Sequence, residues 1–285
     1  MLTLLKTLVI LVLLGAIVGG AYGAYHFLIE APRQRDAREL AVANRPNPAP
    51  TPDISTPDFE RAQALKRDRN FPEARLALEA FLIRYPDSSH HDQALSLLGD
   101  INYAELMDSH PGPGKVEYIV QRGDVLERVA HKVKSDAQFI YQANGLDRIM
   151  LRIGQRLIIP GVDFSIEVHL NSRRLVLLNH GKYFKIYPLQ DTRPLPKKTT
   201  DIRTKIREKL ATQDGRPVSF GTREFANSLR SLALAGQPGY TIYPISDAVP
   251  GSEKPPGSGL GLLASDAEEL HSLVSVGTPV VITAR

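Results

Sequence analysis

The sequence contains no cysteine among its 285 residues. The chain therefore cannot form a disulfide, supply thiolate ligands to zinc or use a thiol nucleophile. A large excess of charge of one sign is also missing, because 35 Lys and Arg residues nearly balance 31 Asp and Glu residues, for a formal net charge of +4. This mild basic excess is typical of an ordinary solvated surface, and it also tolerates an anionic partner.

Patterns for nucleotides, nucleic acids and metals are missing as well. The glycines near residues 257–261 lack the preceding strand and following lysine of a nucleotide-binding loop, and no zinc pattern or aromatic-basic stripe is present. The pair His90-His91 does not suggest a metal site, because adjacent helical residues point in different directions and no further ligand lies at suitable spacing. We predict no cofactor, no metal and no nucleic-acid partner.

A long apolar run lies near the N-terminus. Residues 7–28 follow Lys6 and reach the length of about 20 apolar residues that spans a bilayer as a helix. We predict that residues 1–30 form a transmembrane signal anchor in the inner membrane. A cleaved signal peptide is the alternative, because Ala21 and Gly23 match a small-x-small cleavage site. Both alternatives export the rest of the chain.

Two further segments follow the apolar run. Residues 31–57 include RPNPAPTPDISTP and are predicted to form an extended Pro-rich linker. Residues 58–108 carry apolar side chains at helical spacing. These side chains are Phe71, Ala74, Leu78, Phe81, Leu82 and Tyr85, then Ala94, Leu97, Leu98 and Ile101.

The segment 58–108 resembles the tetratricopeptide-type (TPR-like) helical hairpins of bacterial envelope proteins. It covers roughly one and a half repeats, whereas about three are needed for an independently stable array. The resemblance implies a surface for protein partners. A helical hairpin that only spaces the neighbouring domains is the alternative.

Residues 117–161 combine signals for a strand, two helices and a second strand. The apolar positions Tyr118 and Val120 precede a Gly123-Asp124 turn, and the second helix is predicted to stop at Asn144-Gly145. The predicted helices carry Leu126, Val129 and Ala130, then Phe139, Ile140 and Ala143, and the last strand carries Gln155, Leu157 and Ile159 and ends at Pro160.

This stretch resembles the LysM family, through its Tyr-x-Val-x-x-Gly-Asp-x-Leu opening and the Gly-Gln-x-Leu-x-Ile-Pro that follows Asn144. The resemblance implies a βααβ fold that binds N-acetylglucosamine-containing glycan, which in a bacterial envelope is peptidoglycan. It places the sugar in a shallow groove between the loop after the first strand and the loop before the last. The implied glycan-binding residues are Gly123, Asp124, Val125 and Leu126 on one wall and Ile149, Met150, Leu151, Arg152 and Ile153 on the other.

For some of these residues a structural role is the alternative to glycan binding. Gly123-Asp124 can instead be a turn that caps the first helix, and Met150 and Ile153 can instead be core residues. Val125 departs from the Thr or Ser often found at this position of the family, which removes one hydroxyl from the implied site.

From residue 164 the apolar pattern alternates with period two, which predicts strands. SIEVHL, LVLL and YFKIYPL are separated by the turns NSRR and NHGK, and a short helix over 265–274 precedes a final strand over 279–283. With Gly239-Tyr240-x-Ile242 and Val276-Gly-Thr-Pro-Val-Val-Ile, residues 164–285 resemble the L,D-transpeptidase catalytic domain, also called YkuD-like. That resemblance implies a mostly-β domain.

Active members of that family use a cysteine activated by histidine, beside an arginine. Counted back from Asp266 without a gap, the histidine position falls on Gly257, the cysteine position on Gly259 and the arginine position on Gly261, and a second, upstream histidine position falls on Tyr243. We therefore expect a degenerate domain without catalytic residues. A replaced active site built from Ser258 and His271 is the remaining enzymatic alternative.

The sequence thus predicts a multidomain α+β protein with a transmembrane helix, helical hairpins, a LysM module and a mostly-β transpeptidase-like domain. The predicted function is a membrane-anchored, periplasmic protein of the cell envelope that binds peptidoglycan without acting as an enzyme. A scaffold that recruits wall-synthesis proteins, in part through residues 58–108, and a wall-remodelling enzyme with a replaced nucleophile are the alternatives.

Overall fold

The computed structural model describes residues 53–193, 201–236, 240–245 and 258–283. The predicted membrane anchor, residues 1–30, and nearly all of the predicted linker lie outside the described residues. In the described ranges, no helix has both the length and the apolar character needed to cross a membrane.

The first part of the described chain is helical. Helices α1 (Thr56–Arg67), α2 (Phe71–Arg84) and α3 (His91–Leu106) pack around a small apolar core. The stripes predicted for two helices are confirmed in α2 and α3, whereas α1 was not predicted. Phe59 of α1 stacks on His90, with ring centroids 4.6 Å apart. The resemblance of these helices to TPR repeats stays a prediction.

The LysM-like segment folds as strand, helix, helix, strand, as its sequence predicts. Its elements are β1 (Lys115–Ile119), α4 (Leu126–Lys132), α5 (Ala137–Ala143) and β2 (Arg156–Pro160), and the two strands pair antiparallel. Asp136 caps α5, since its carboxylate accepts from the backbone N of Gln138 and Phe139 at 2.9 and 3.2 Å. Asn144 ends α5 and fixes it to β2, because its side chain exchanges two hydrogen bonds with the backbone of Ile158.

A mixed sheet forms the last part of the described chain. Its strands are β3 (Phe164–His169), β4 (Arg174–Asn179), β5 (Lys182–Pro188), β6 (Asp191–Thr192), β7 (Ile202–Gln213), β8 (Arg216–Pro217), β9 (Leu229–Leu234), β10 (Tyr240–Ile245), β11 (Ser258–Leu263) and β12 (Pro279–Thr283). The strand order is β5-β4-β3-β12-β7-β9-β10-β11-β6, with β8 beside β7. The pairs β3–β12 and β10–β11 are parallel. A short 3-10 helix (Glu224–Asn227) precedes β9, and helix α6 (Ala264–Leu273) follows β11.

The alternation predicted for the opening strands is confirmed. In β3 the side chains of Phe164, Ile166 and Val168 are buried, and the residues between them are only half-buried. Strands β3, β4 and β5 form the predicted antiparallel series, and the final helix and strand lie where the sequence predicts them. The described chain is therefore a mixed α+β structure.

Helix α3 packs directly on strand β5. A Cβ atom at Gly99 would lie 2.9 Å from Cγ of Lys185, so only a glycine lets the helix approach this closely. Asn102 donates to the carbonyl of Phe184 at 2.6 Å, and the Tyr183 hydroxyl donates to the carbonyl of Leu95 at 2.8 Å. The helical segment and the sheet thus share a specific interface.

Candidate functional site

Backbone pairing brings together the two loops of the LysM-like module. Val120 donates its N–H to the carbonyl of Gln155 at 2.9 Å, and Gly154 donates to the carbonyl of Val120 at 2.8 Å. Gly123 and Gly154 have φ values of +86° and +79°, a conformation that favours glycine. The loop after β1 and the loop before β2 therefore lie side by side.

The second loop exposes large apolar side chains. Met150 and Ile153 are 77% and 72% exposed, so the alternative that they belong to the core is wrong. Both border a groove of about 530 Å³. Its lining residues are Leu146, Asp147, Arg148, Met150, Arg152, Ile153, Gly154 and Gln155. An apolar strip with polar groups around it suits a sugar that carries methyl-bearing acetamide groups.

The remaining apolar members of the predicted set differ in exposure. On the first loop Val125 is 48% exposed, whereas Leu126 is fully buried in the core of the module. The prediction that Leu126 binds the glycan must therefore be corrected, because its side chain packs in the core of the module and does not reach the surface. Leu151 is half-buried and also packs against this core.

Asp124 uses its carboxylate to hold the first loop. Oδ2 accepts from the Tyr118 hydroxyl at 2.7 Å and from the backbone N of Gln121 at 2.9 Å, while Oδ1 accepts from Lys132 Nζ at 2.7 Å. The hydrogen bond from Lys132, followed by those from Gln121 and Tyr118, lowers the pKa of Asp124 to about 2. The proposed capping of α4 is not what this residue does, because Val125 is the N-cap residue and no side chain caps the helix.

Two polar positions of the predicted set have different surroundings. The carbonyl of Gly123 accepts from the Arg128 guanidinium at 2.7 Å. Arg152 is exposed, and its backbone N donates to Oε1 of Gln155 at 3.0 Å. Arg152 also lines the groove, while the Gly123 carbonyl already accepts a hydrogen bond from Arg128.

Ile149 faces another part of the chain. A Cβ atom placed on Gly221 would lie 2.9 Å from Cδ1 of Ile149, so the second loop of the LysM-like module touches the loop that follows β8. A pocket of about 540 Å³ opens at this contact. Sequence reasoning missed it, because its two sides lie some seventy residues apart and neither side carries a recognisable motif.

Three of the four positions predicted to have lost catalytic residues lie on adjacent strands, and Gly257 lies outside the described residues. Tyr243 of β10 is paired with Gly261 of β11, and Gly259 is paired with Thr241. A Cβ atom at Gly259 would lie 2.2 Å from the carbonyl oxygen of Thr241. Position 259 thus has no room for a side chain unless the backbone shifts.

The Tyr243 hydroxyl takes part in a small polar cluster at this edge of the sheet. It donates to Oδ2 of Asp191 at 2.6 Å, and Arg193 Nε donates to the same oxygen at 2.9 Å. Burial and the Asp191 carboxylate raise the pKa of Tyr243 to about 12. The hydrogen bonds from Tyr243 and Arg193 lower the pKa of Asp191.

His271, the suggested alternative base, lies buried in α6 and is 3% exposed. Its Nδ1 is 3.0 Å from Oε1 of Gln138, a residue of α5. Burial, followed by the charges of Lys209 and Arg230, lowers the pKa of His271 to about 3. Within the described ranges, no three His, Asp or Glu side chains form a group that could hold a metal ion.

Comparison with known proteins agrees with the geometry of the small module. The LysM domain model matches residues 118–160. No curated protein matches the chain.

Solved structures similar to the chain include L,D-transpeptidases. One from Mycobacterium smegmatis is 11% identical, with a TM-score of 0.30 over 47% of this chain and 65% of that one. One from Stackebrandtia nassauensis is 16% identical, with a TM-score of 0.31 over 52% of this chain and 64% of that one. A fused Zn-dependent amidase/peptidase/peptidoglycan-binding domain-containing protein from Clostridium acetobutylicum is 16% identical, with a TM-score of 0.30 over 42% and 51%.

The chain spans about two thirds or less of each of these proteins.

Proposed function

We propose that the chain is a cell-envelope protein that binds the N-acetylglucosamine-containing glycan of peptidoglycan through the groove of residues 146–155. The LysM match over 118–160 supports the ligand class. The single observation that carries the proposal is the exposure of Met150 and Ile153 beside this groove. Exposed apolar side chains on a loop held by backbone pairing offer a preformed surface for a sugar.

Co-sedimentation of the full chain with purified sacculi, in a mild detergent, tests this proposal. The variant Met150→Ser/Ile153→Ser should bind at least about 10-fold more weakly, because each apolar side chain buried by a ligand contributes roughly 1–2 kcal/mol. Val116→Ser is the matched control, since Val116 is 63% exposed and lies at the other end of β1. Undiminished binding of the double variant, or no binding of the parent chain, would refute the proposal.

We further propose that the sheet domain has no transpeptidase activity. The absence of cysteine and the crowding at Gly259 support this, because a thiolate is the family's nucleophile and position 259 lacks space for one. The purified chain should form no cross-links from tetrapeptide-bearing muropeptides. Cross-linking that Ser258→Ala abolishes would show instead that serine has replaced the nucleophile.

The apolar run over residues 7–28 supports a tether to the inner membrane, with the described domains in the periplasm. The full chain should remain with membranes after an alkaline carbonate wash. Recovery of a shortened chain in the soluble fraction, with an N-terminus just after residue 23, would favour the cleaved signal peptide.

A scaffolding function is favoured by one surface feature. Leu76 and Ile83 lie seven residues apart on α2, so they share a face, and they are 65% and 82% exposed. An exposed apolar pair on one helix face is suited to contact a protein partner. Double substitution to Asp should release a co-purifying partner while sacculus binding stays intact, and retention of the partner would exclude this surface.

A further inference from the structure

The pocket beside the glycan groove is built from two parts of the chain. On one side are residues of α5 and the loop that follows it, and on the other are residues 220–230. The described lining consists of Gln138, Tyr141, Gln142, Asp147, Arg148, Ile149, Phe220, Gly221, Thr222, Arg223, Phe225, Ala226 and Arg230. Phe220 packs edge-on against both Tyr141 and Phe225, at centroid distances of 5.5 and 5.3 Å. The pocket therefore combines an aromatic side with arginines.

Arg230 is the most informative of these side chains. It is only 4% exposed, and its guanidinium lies 3.8 Å from the centroid of the Phe225 ring. One terminal nitrogen donates to the carbonyl of Ser228 at 2.6 Å, while Nε is buried and has no hydrogen-bond partner among the described residues. A buried guanidinium with an unused donor is costly unless an acceptor is supplied.

The charges around Arg230 leave the pocket positive. Among the described residues, the carboxylate that pairs with it is that of Glu268, 3.6 Å away and 54% exposed. Arg148 and Arg223 add two positive charges to the lining, against the one negative charge of Asp147, which pairs with Arg148 at 3.0 Å. Gln142, on the same lining, also has a buried Oε1 without a partner in the described residues. The pocket is thus suited to an anion that also accepts and donates hydrogen bonds.

The pocket and the glycan groove share a border. Asp147 and Arg148 line both cavities, and Ile149, next in sequence, closes against Gly221. A glycan strand in the groove would therefore pass the mouth of the pocket. Peptidoglycan differs from other N-acetylglucosamine polymers in carrying short peptide stems, whose ends and side chains include carboxylates.

We propose that this pocket binds the carboxylate-bearing peptide stem of a glycan strand held in the groove. The proposal rests on the proposed glycan-binding function and narrows its ligand from N-acetylglucosamine polymers in general to stem-bearing peptidoglycan. Arg223, Arg148 and Arg230 contact the carboxylate, and Phe220 and Tyr141 contact the aliphatic part of the peptide. The arginines select stem-bearing peptidoglycan over neutral N-acetylglucosamine polymers, because a carboxylate matches the paired N–H donors of a guanidinium.

The test compares two soluble probes on the full chain by calorimetry. One is a neutral chitohexaose, and the other is a tetrapeptide-bearing muropeptide. Arg223→Gln should weaken binding of the muropeptide about 10-fold, the effect of one charged hydrogen bond worth roughly 1.5 kcal/mol, and leave chitohexaose binding unchanged. Arg61→Gln is the matched control, since Arg61 is an exposed arginine of α1. Amidation of the stem carboxylates should remove the difference between Arg223→Gln and the parent chain.

The outcomes separate the two proposals. If the parent chain binds neither probe, the glycan-binding function itself fails. If chitohexaose binds and Arg223→Gln leaves muropeptide binding unchanged, or weakens both probes equally, the stem pocket is refuted while glycan binding stands. Displacement of the muropeptide by millimolar inorganic phosphate, at constant ionic strength, would assign the arginines to phosphate groups and overturn the proposal. Circular dichroism of each variant checks that a loss does not come from misfolding.

Discussion

At the scale of single residues, His271 makes the stability of the fold depend on pH. Burial lowers its pKa to about 3, whereas an unfolded histidine titrates near 6.5. The unfolded chain therefore takes up a proton below pH 6.5 that the folded chain does not. The contribution of His271 is fully present above pH 6.5, and it is lost as the pH falls from 6.5 towards 3, by about 1.4 kcal/mol per pH unit.

Urea unfolding between pH 7.5 and pH 5.0 measures this effect before carboxylates begin to titrate. The parent chain should lose about 2 kcal/mol between pH 6.5 and 5.0, and His271→Gln should lose distinctly less. The control is His110→Gln, because the His110 side chain is 83% exposed. Equal pH dependence in the parent chain and His271→Gln would contradict the assignment of the lowered pKa.

At the scale of single residues, the sequence could predict some parts of the proposed glycan site and not others. The family pattern predicted two neighbouring loops, and backbone pairing at Val120 does bring the loop after β1 and the loop before β2 together, with Met150 and Ile153 exposed on the second. It could not show that Leu126 points into the core while Val125 points out. These are adjacent residues in a loop-to-helix transition, where no periodicity has yet begun.

At the scale of elements, periodic burial explains what was predicted and what was missed. Strand β3 alternates cleanly and was predicted, whereas the twelve-residue strand β7 carries several charged residues on exposed positions and only Ile206 and Ala211 as buried apolar ones. Helix α1 was missed for a similar reason, since Phe59 and Ala62 are its only fully buried residues. Elements that bury few side chains leave a weak pattern.

Strand β11 provides an element-scale prediction at Gly259. Its φ of +155° and the 2.2 Å approach of a Cβ atom to the Thr241 carbonyl mean that any side chain must push β10 and β11 apart. Gly259→Ala should therefore lower the free energy of unfolding by about 2 to 4 kcal/mol, measured in urea. Gly112→Ala is the control, because a Cβ atom there meets nothing within 4 Å. A neutral effect at Gly259 would remove the steric support for an inactive domain.

At the scale of the whole molecule, helix α5 joins the LysM-like module to the sheet domain. Ile140 is buried in the core of the module, while its neighbour Phe139 is buried among side chains of the sheet domain. Lys209 of β7 lies 2.9 Å from Asp136 at the start of the same helix. These contacts join residues more than seventy positions apart, so no local pattern in the sequence could predict them.

The shared helix predicts that the two domains unfold together. Phe139 and Ile140 are 1% and 0% exposed, and truncation of either to Ala should cost roughly 2–5 kcal/mol through loss of burial and a cavity. If α5 couples the domains, Phe139→Ala will speed hydrogen exchange in β1 and β2 as well as in β7 and β9, although its side chain lies in the core of the sheet domain. Ile140→Ala will have the reciprocal effect, through the core of the module.

Hydrogen exchange followed by mass spectrometry resolves these strands separately in the full chain. Ala62→Gly is the control, because Ala62 is buried in the helical core and its replacement should speed exchange first in α1. Exchange that rises only in the sheet for Phe139→Ala, and only in β1 and β2 for Ile140→Ala, would show two independent domains. The pocket between them would then open without loss of either fold, and its arginines would have no fixed position from which to select a ligand.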